Sequence, residues 1–131
     1  METAKIVFDH IHVISENVSA AADWYVDMLG GKITARIEVG GAPQTVVAFA
    51  GANIIIRGQR DGEKAVPKTG LSWGTDHFGF SVTGDFDNLC DNLKKKGVKF
   101  TLDPVDFGPA LRIAFIEAPD GVSIELLIRK K

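Results

Sequence analysis

Phe8-Asp9-His10-Ile11-His12-Val13 and, later in the chain, Asp76-His77-Phe78-Gly79-Phe80 are the two stretches that decide the fold. Each is a short apolar run opened by Asp-His, and the two lie at an offset of 67 residues. At the same offset Gly30, Lys32 and Thr34 recur as Gly97, Lys99 and Thr101. Apolar positions correspond as well: Ile11 with Phe78, Val13 with Phe80, Ala22 with Leu89, Val26 with Leu93 and Ile33 with Phe100. Self-similarity of this kind marks a repeated supersecondary unit.

Both copies carry the same pattern of elements. Copy one opens on Ile6 to Ile14, a β-branched apolar run that predicts a strand. Asn17 is placed to cap a helix, and Val18, Ala21, Ala22, Tyr25, Met28 and Leu29 follow at helical spacing until Gly30-Gly31 ends it. Strands are then predicted over residues 32–39, 45–50 and 52–57, with Gly40-Gly41-Ala42-Pro43 and Gly51 as turns. Copy two predicts a strand over 76–82, then a helix capped by Asp85 with Phe86, Leu89, Cys90 and Leu93 on its apolar face. Lys94, Lys95 and Lys96 suit the negative end of its dipole, and Gly97 terminates it. Strands over 98–102, 111–117 and 122–128 follow, the last after the turn Pro119-Asp120-Gly121. The fold class is therefore α+β: two tandem βαβββ modules, 5–57 and 75–131, within a single domain over 1–131. Residues 58–74, rich in Gly, Lys and Arg, are the linker, and 103–110 reads as a surface loop.

The chain has 131 residues and a formal net charge of -2, which excludes the strongly basic surface that attracts nucleic acid non-specifically. Hydrophobic residues at 45% and charged residues at 24% are those of a folded domain large enough to bury a core. Cys90 is the single cysteine, so an internal disulfide and a cysteine-based zinc cluster are excluded, and any metal must be held by N and O ligands. No apolar run approaches the roughly 20 residues of a membrane helix, and Met1 to Phe8 lacks the apolar stretch of a signal peptide. The expectation is a cytoplasmic protein with no nucleic-acid or membrane partner. Its three histidines all fall on the two opening strands.

The two Asp-His strands, Trp24-Tyr25-Val26-Asp27-Met28-Leu29-Gly30-Gly31, and Ala118-Pro119-Asp120-Gly121-Val122-Ser123-Ile124-Glu125-Leu126 together resemble the vicinal oxygen chelate superfamily. That group includes glyoxalase I, methylmalonyl-CoA epimerase, extradiol dioxygenases, fosfomycin-resistance enzymes and bleomycin-resistance proteins. The resemblance covers nearly the whole chain and implies a cupped mixed sheet whose first and last strands in each module supply metal ligands. Carried over residue by residue, these are His10, His77 and Glu125. The fourth family position falls on Ile55, with Asn53 the nearest polar residue, so no ligand is expected there. Two imidazoles and a carboxylate suit one divalent ion (Fe, Mn, Zn or Ni) with open positions for two adjacent substrate oxygens. Ring-cleaving and fosfomycin-type relatives carry a Tyr ten residues before the ligand Glu, where this chain has Phe115. Members are commonly homodimers, so a homodimer is expected here.

The remaining residues divide by role. His12 lies two residues from His10 and faces the same way. As a catalytic residue it would move a proton; it could instead be a fourth ligand, or a histidine that only hydrogen-bonds. His10 to Glu16 also fits a cupin-like His-x-His-x3-Glu, but Ala4 and Asp23 stand where that motif needs glycines. Asp9 and Asp76 are expected to face away from the histidines as structural residues. Arg112 and Glu117 are expected at solvated positions, and Trp24, Tyr25, Trp73 and Cys90 in packing. Candidate pocket walls are Val47, Phe49, Ile54 to Ile56, Phe100, Ile113 and Phe115. Of these, Phe49, Ile55 and Phe115, together with Arg57, are the substrate-binding candidates, and Arg57 and Arg60 could hold a carboxylate or phosphate.

Two functions follow. The first is a divalent-metal-dependent enzyme that binds a small substrate through two adjacent oxygens, with isomerase, lyase or dioxygenase chemistry. The alternative is a non-catalytic small-molecule (drug) binder of the bleomycin-resistance type, whose known examples lack a complete ligand triad.

Overall fold

The computed structural model describes residues 3–131. Met1 and Glu2, which open the stretch expected not to be a signal peptide, lie outside the described residues. The chain divides into two compact units between Val66 and Pro67, inside the expected linker.

Unit one runs β1 (His10–Ile14), α1 (Val18–Leu29), β2 (Lys32–Val39), β3 (Ala42–Ala48) and β4 (Asn53–Arg57), and its sheet has the order β1-β4-β3-β2. The Asn17 side chain accepts a hydrogen bond from the Ala20 N–H at 3.0 Å, which caps α1. The helix ends at Gly30, whose φ of 77° is the left-handed conformation that glycine adopts without strain. Val18, Ala21, Ala22 and Tyr25 are buried where α1 lies across β2, β3 and β4. Gly40 and Gly41, with φ of 57° and 82°, form the two-residue hairpin between β2 and β3. The turn is shorter than expected, because Ala42 already pairs with Val39 and Pro43 with Glu38.

Unit two repeats the plan with β5 (Phe78–Ser81), α2 (Phe86–Lys95), β6 (Phe100–Asp106), β7 (Leu111–Glu117) and β8 (Ser123–Arg129), in the order β5-β8-β7-β6. Asp85 caps α2 by accepting from the Asn88 N–H at 3.1 Å. Phe86, Cys90 and Leu93 are its buried residues. Across from them, Ala114, Ile116, Ile124 and Leu126 are buried on one side of β7 and β8. Arg112, in phase with Ala114, reaches Asp87 of α2 at 2.9 Å, so this is the side α2 covers. Both sheets mix one parallel pair with antiparallel ones, as the α+β expectation requires: β1 runs parallel to β4, and β5 to β8.

The boundaries of β1, β5 and β6 also differ from the sequence reading. The opening strand starts at His10, not Ile6, because its partner β4 starts at Asn53; only the Asn53 N–H to Asp9 carbonyl bond at 3.2 Å extends the ladder. Strand β5, at Phe78–Ser81, is shorter than residues 76–82. Strand β6 continues to Asp106, through residues expected in a loop. It is an edge strand, where Pro104 costs no ladder bond, and register shifts between Phe100 and Leu102 and between Leu102 and Val105 absorb the irregularity.

Candidate functional site

In unit two the register sets Glu125 of β8 between Gly79 of β5 and Phe115 of β7, so all three share the side away from α2. His77 sits just before β5, on the same side as Gly79 by alternation. Its Nε2 lies 3.1 Å from Glu125 Oε1 and its Nδ1 lies 2.7 Å from Asp76 Oδ2. The Phe115 ring meets His77 edge-on, with centroids 4.8 Å apart. Glu125 is largely sheltered, its side chain 18% exposed against 31% for His77. Gly79 keeps this corner open. A Cβ there would lie 3.3 Å from the Glu125 carbonyl oxygen and 3.5 Å from its Cβ. The Asp76 carboxylate, followed by that of Glu125, raises the His77 pKa above its ordinary value, against the opposing effect of burial.

Unit one has the same frame with different chemistry. His10 pairs with Asn53 and His12 with Ile55 in the parallel ladder. His10 Nδ1 lies 2.7 Å from Asp9 Oδ2, and the His10 and His12 rings stand edge to face with centroids 5.7 Å apart. Ile55 thus occupies beside His12 the place that Glu125 occupies beside Gly79, while Asn53 is the polar residue opposite His10. Arg57, in phase with Ile55, gives its guanidinium to Glu63 and to the Gly58 carbonyl. Burial lowers the His12 pKa, and the charges of Arg57, His10 and Arg60 lower it further. The ring is thereby kept in the unprotonated form, as a weaker base than an ordinary imidazole.

Several candidates sit elsewhere than expected. Phe49 follows the end of β3, and its ring lies with Val47 against Gly31 at the end of α1, away from the histidines. Val47, Ile54 and Ile56 are core residues, with relative exposures of 0%, 3% and 0%; within that run only Ile55 turns to the other side. Glu117 pairs with Lys99 at 3.6 Å at the strand end, and Arg112 bridges Asp87 and Asp106. Trp73 is fully exposed rather than packed.

The largest correction concerns Asp9 and Asp76. Strict alternation applies inside a strand, but both residues precede theirs, and their carboxylates turn back onto the neighbouring rings. Occupying Nδ1 fixes each ring's orientation and leaves Nε2 as the ligand atom, the support that metal-binding histidines commonly have. The signal was visible as Asp-His in both copies.

Two metal–ligand bonds of about 2.1 Å at roughly a right angle put their donor atoms about 3 Å apart. The nitrogen of His77 and the oxygen of Glu125 have that spacing and the right donor chemistry for a borderline divalent ion. The described residues gather no group of three His, Cys, Asp or Glu side chains able to hold a metal.

A "Probable lactoylglutathione lyase" from Synechocystis is 29% identical over 130 residues, covering 90% of this chain and 92% of that protein. The glyoxalase family protein from Bacillus cereus superposes with a TM-score of 0.82 at 15% identity, over 99% of this chain and 98% of that one. A glyoxylase/bleomycin resistance protein/dioxygenase domain from Frankia superposes with a TM-score of 0.78 at 22% identity, over 98% and 100%. These structures share the fold. The family model itself matches residues 7–126, so the chain belongs to the Glyoxalase/Bleomycin resistance protein/Dioxygenase superfamily.

Proposed function

We propose that this protein is a divalent-metal-dependent enzyme that binds a small substrate through two adjacent oxygens and carries out isomerase or lyase chemistry. The observation that carries this reading is the His77 Nε2 and Glu125 Oε1 pair, two donors at 3.1 Å with the imidazole backed by Asp76. The ligands in this reading are His10, His77 and Glu125. The ion, one of Fe, Mn, Zn or Ni, supplies Lewis-acid stabilisation of the charge that develops on a substrate oxygen. His12, neutral and close to His10, takes the proton. Within its own unit Ile55 presents apolar surface beside His12 and Phe115 beside Glu125, and Arg57 offers a cation on the Ile55 side. The lactoylglutathione lyase relative favours lyase chemistry over ring cleavage, as does Phe115, which has no hydroxyl to donate.

In this reading the protein is a cytoplasmic homodimer.

The test is elemental analysis of the purified protein, then reconstitution with each ion and assay for lactoylglutathione lyase activity and for oxygen uptake. Stoichiometric metal with lyase activity is expected. Oxygen uptake would move the chemistry to a dioxygenase. Failure to take up any of the four ions would overturn the reading in favour of a binder of the bleomycin-resistance kind.

A further inference from the structure

The loop that leaves β4 closes on itself through a carboxylate. Arg57 offers both terminal nitrogens to the two oxygens of Glu63, and its Nη1 also donates to the Gly58 carbonyl at 3.1 Å. The Arg60 N–H donates to the same Glu63 Oε1 at 2.8 Å, and the Glu63 N–H donates back to the Arg60 carbonyl at 3.0 Å. A guanidinium fork joined by a backbone N–H is an arrangement by which proteins capture free carboxylates. The loop is itself docked, through the Asp61 N–H on the Gly40 carbonyl at 2.8 Å.

Two features separate this from an ordinary surface ion pair. The Arg57 side chain is 13% exposed and that of Glu63 is 41%, so the cation is built in while the anion sits at the mouth. The charges are also uneven. The Arg60 guanidinium meets the neutral Gln44 amide at 2.9 Å, and its Nε is buried with no hydrogen-bond partner among the described residues. Glu63 is therefore held by one guanidinium and one backbone N–H, while the second guanidinium, that of Arg60, has only a neutral amide as its hydrogen-bond partner; Arg57 and Gln44 lie on the side of the sheet that carries His12.

The geometry points to residues 57–63 as a carboxylate subsite in which Glu63 is a built-in occupant that a substrate's own carboxylate displaces. The substrate class is then a small molecule bearing a carboxylate besides its adjacent oxygens. On exchange, the Arg57 fork and the Arg60 N–H trade one carboxylate for another, Glu63 moves into water, and no buried charge is left alone. The inference rests on the proposed function only for the role of the bound carboxylate; the site itself binds without metal.

Acetate is the probe, with acetamide as its uncharged counterpart, added to the full chain at constant ionic strength. The Arg57 Nε–H and Arg60 amide resonances report binding in proton–nitrogen spectra. In the unmodified protein acetate moves them weakly, because tethered Glu63 competes at high effective concentration. Glu63→Gln keeps an oxygen for the Arg60 N–H but removes the charge, and tightens acetate binding tenfold or more. Adding Arg57→Gln abolishes it. A Glu63→Gln protein that melts lower but binds acetate no better overturns the subsite and leaves Glu63 as a loop fastener. Should that variant not fold, the unmodified protein carries the test: no movement specific to acetate over acetamide overturns it equally. A chain that binds acetate as expected yet takes up no metal would sink the metal enzyme and leave this site standing.

Discussion

The two opening strands place the same imidazole in two different settings. In unit two, His77 is followed two residues later by Gly79, and the strand alongside presents Glu125. In unit one, His10 is followed by His12, and the strand alongside presents Ile55. A bare glycine faces a carboxylate in one unit and a second imidazole faces an isoleucine in the other. Crowding explains the pairing of choices. Space above Gly79 lets Glu125 approach His77, whereas His12 fills the equivalent space and leaves its neighbour apolar. Burial and the nearby cations lower the His12 pKa, while the Asp76 and Glu125 carboxylates raise that of His77. The duplicated module thus holds its imidazoles in two different electrostatic surroundings.

Erasing the carboxylate is the severest way to break the contrast. Glu125→Ala is expected to weaken metal binding by more than about 100-fold, beyond what losing a residue that merely supports a ligand costs. Calorimetric titration with Zn would show it, and full retention of metal would remove Glu125 from the ligand set. On the other half, His12→Ala is expected to lower turnover by about 100- to 10,000-fold while metal content stays stoichiometric. Unchanged turnover in a metal-loaded variant would end the proton-transfer role. Asp76→Asn tests the carboxylate behind His77. An expected loss of roughly 10- to 100-fold in metal affinity would mark it as a positioning residue, and a variant that melts lower while binding metal normally would reduce it to a structural one.

The pH dependence sharpens the same comparison. The His77 pKa is raised by Asp76 and Glu125, so in the metal-free chain its protonation favours the folded state. That contribution is full below the unfolded value of about 6.5 and is lost as pH rises through the folded value. A metal needs the neutral ring, so apparent affinity runs the other way and falls by up to about tenfold for each pH unit below the folded value. Affinity measured at pH 6 and pH 8 decides it, a flat profile removing His77 as a ligand. The smallest effect is expected from Gly79→Ala, whose Cβ at 3.3 Å from a carbonyl oxygen forces a shift of a few tenths of an ångström. A few-fold loss of metal affinity would follow, and none at all would show that Glu125 does not need the space.

Much of this was readable before any coordinates. The repeat of Asp-His, the helix caps at Asn17 and Asp85, and the terminators Gly30 and Gly97 are local signals, and local signals carry element order well. Ile55 stands at the fourth family position, and the ladders place it beside His12 as Glu125 stands beside Gly79. What depended on pairing was less visible. Ile6 to Phe8 looks like strand by composition but has no partner alongside in its own sheet. Phe49 shares its apolar character with a pocket wall, yet the end of β3 delivers it to Gly31. The carboxylates of Asp9 and Asp76 escaped a period-two argument because neither residue lies within a strand. Glu63 was hidden among the charged residues of a linker, and only the folded turn shows what it holds.

Strand β6 has a consequence of another kind. It closes one side of its sheet, and an uncovered strand edge invites further strands to add on. Pro104 removes one amide from that edge, and the two register shifts bend the rest out of line. A neighbouring chain arriving there finds neither an unbroken row of donors nor a flat surface to copy. The irregularity that made residues 103–106 look like a loop therefore serves as a guard against fibrous self-association, and straightening it with Val at 104 would trade local regularity for a template that recruits other molecules.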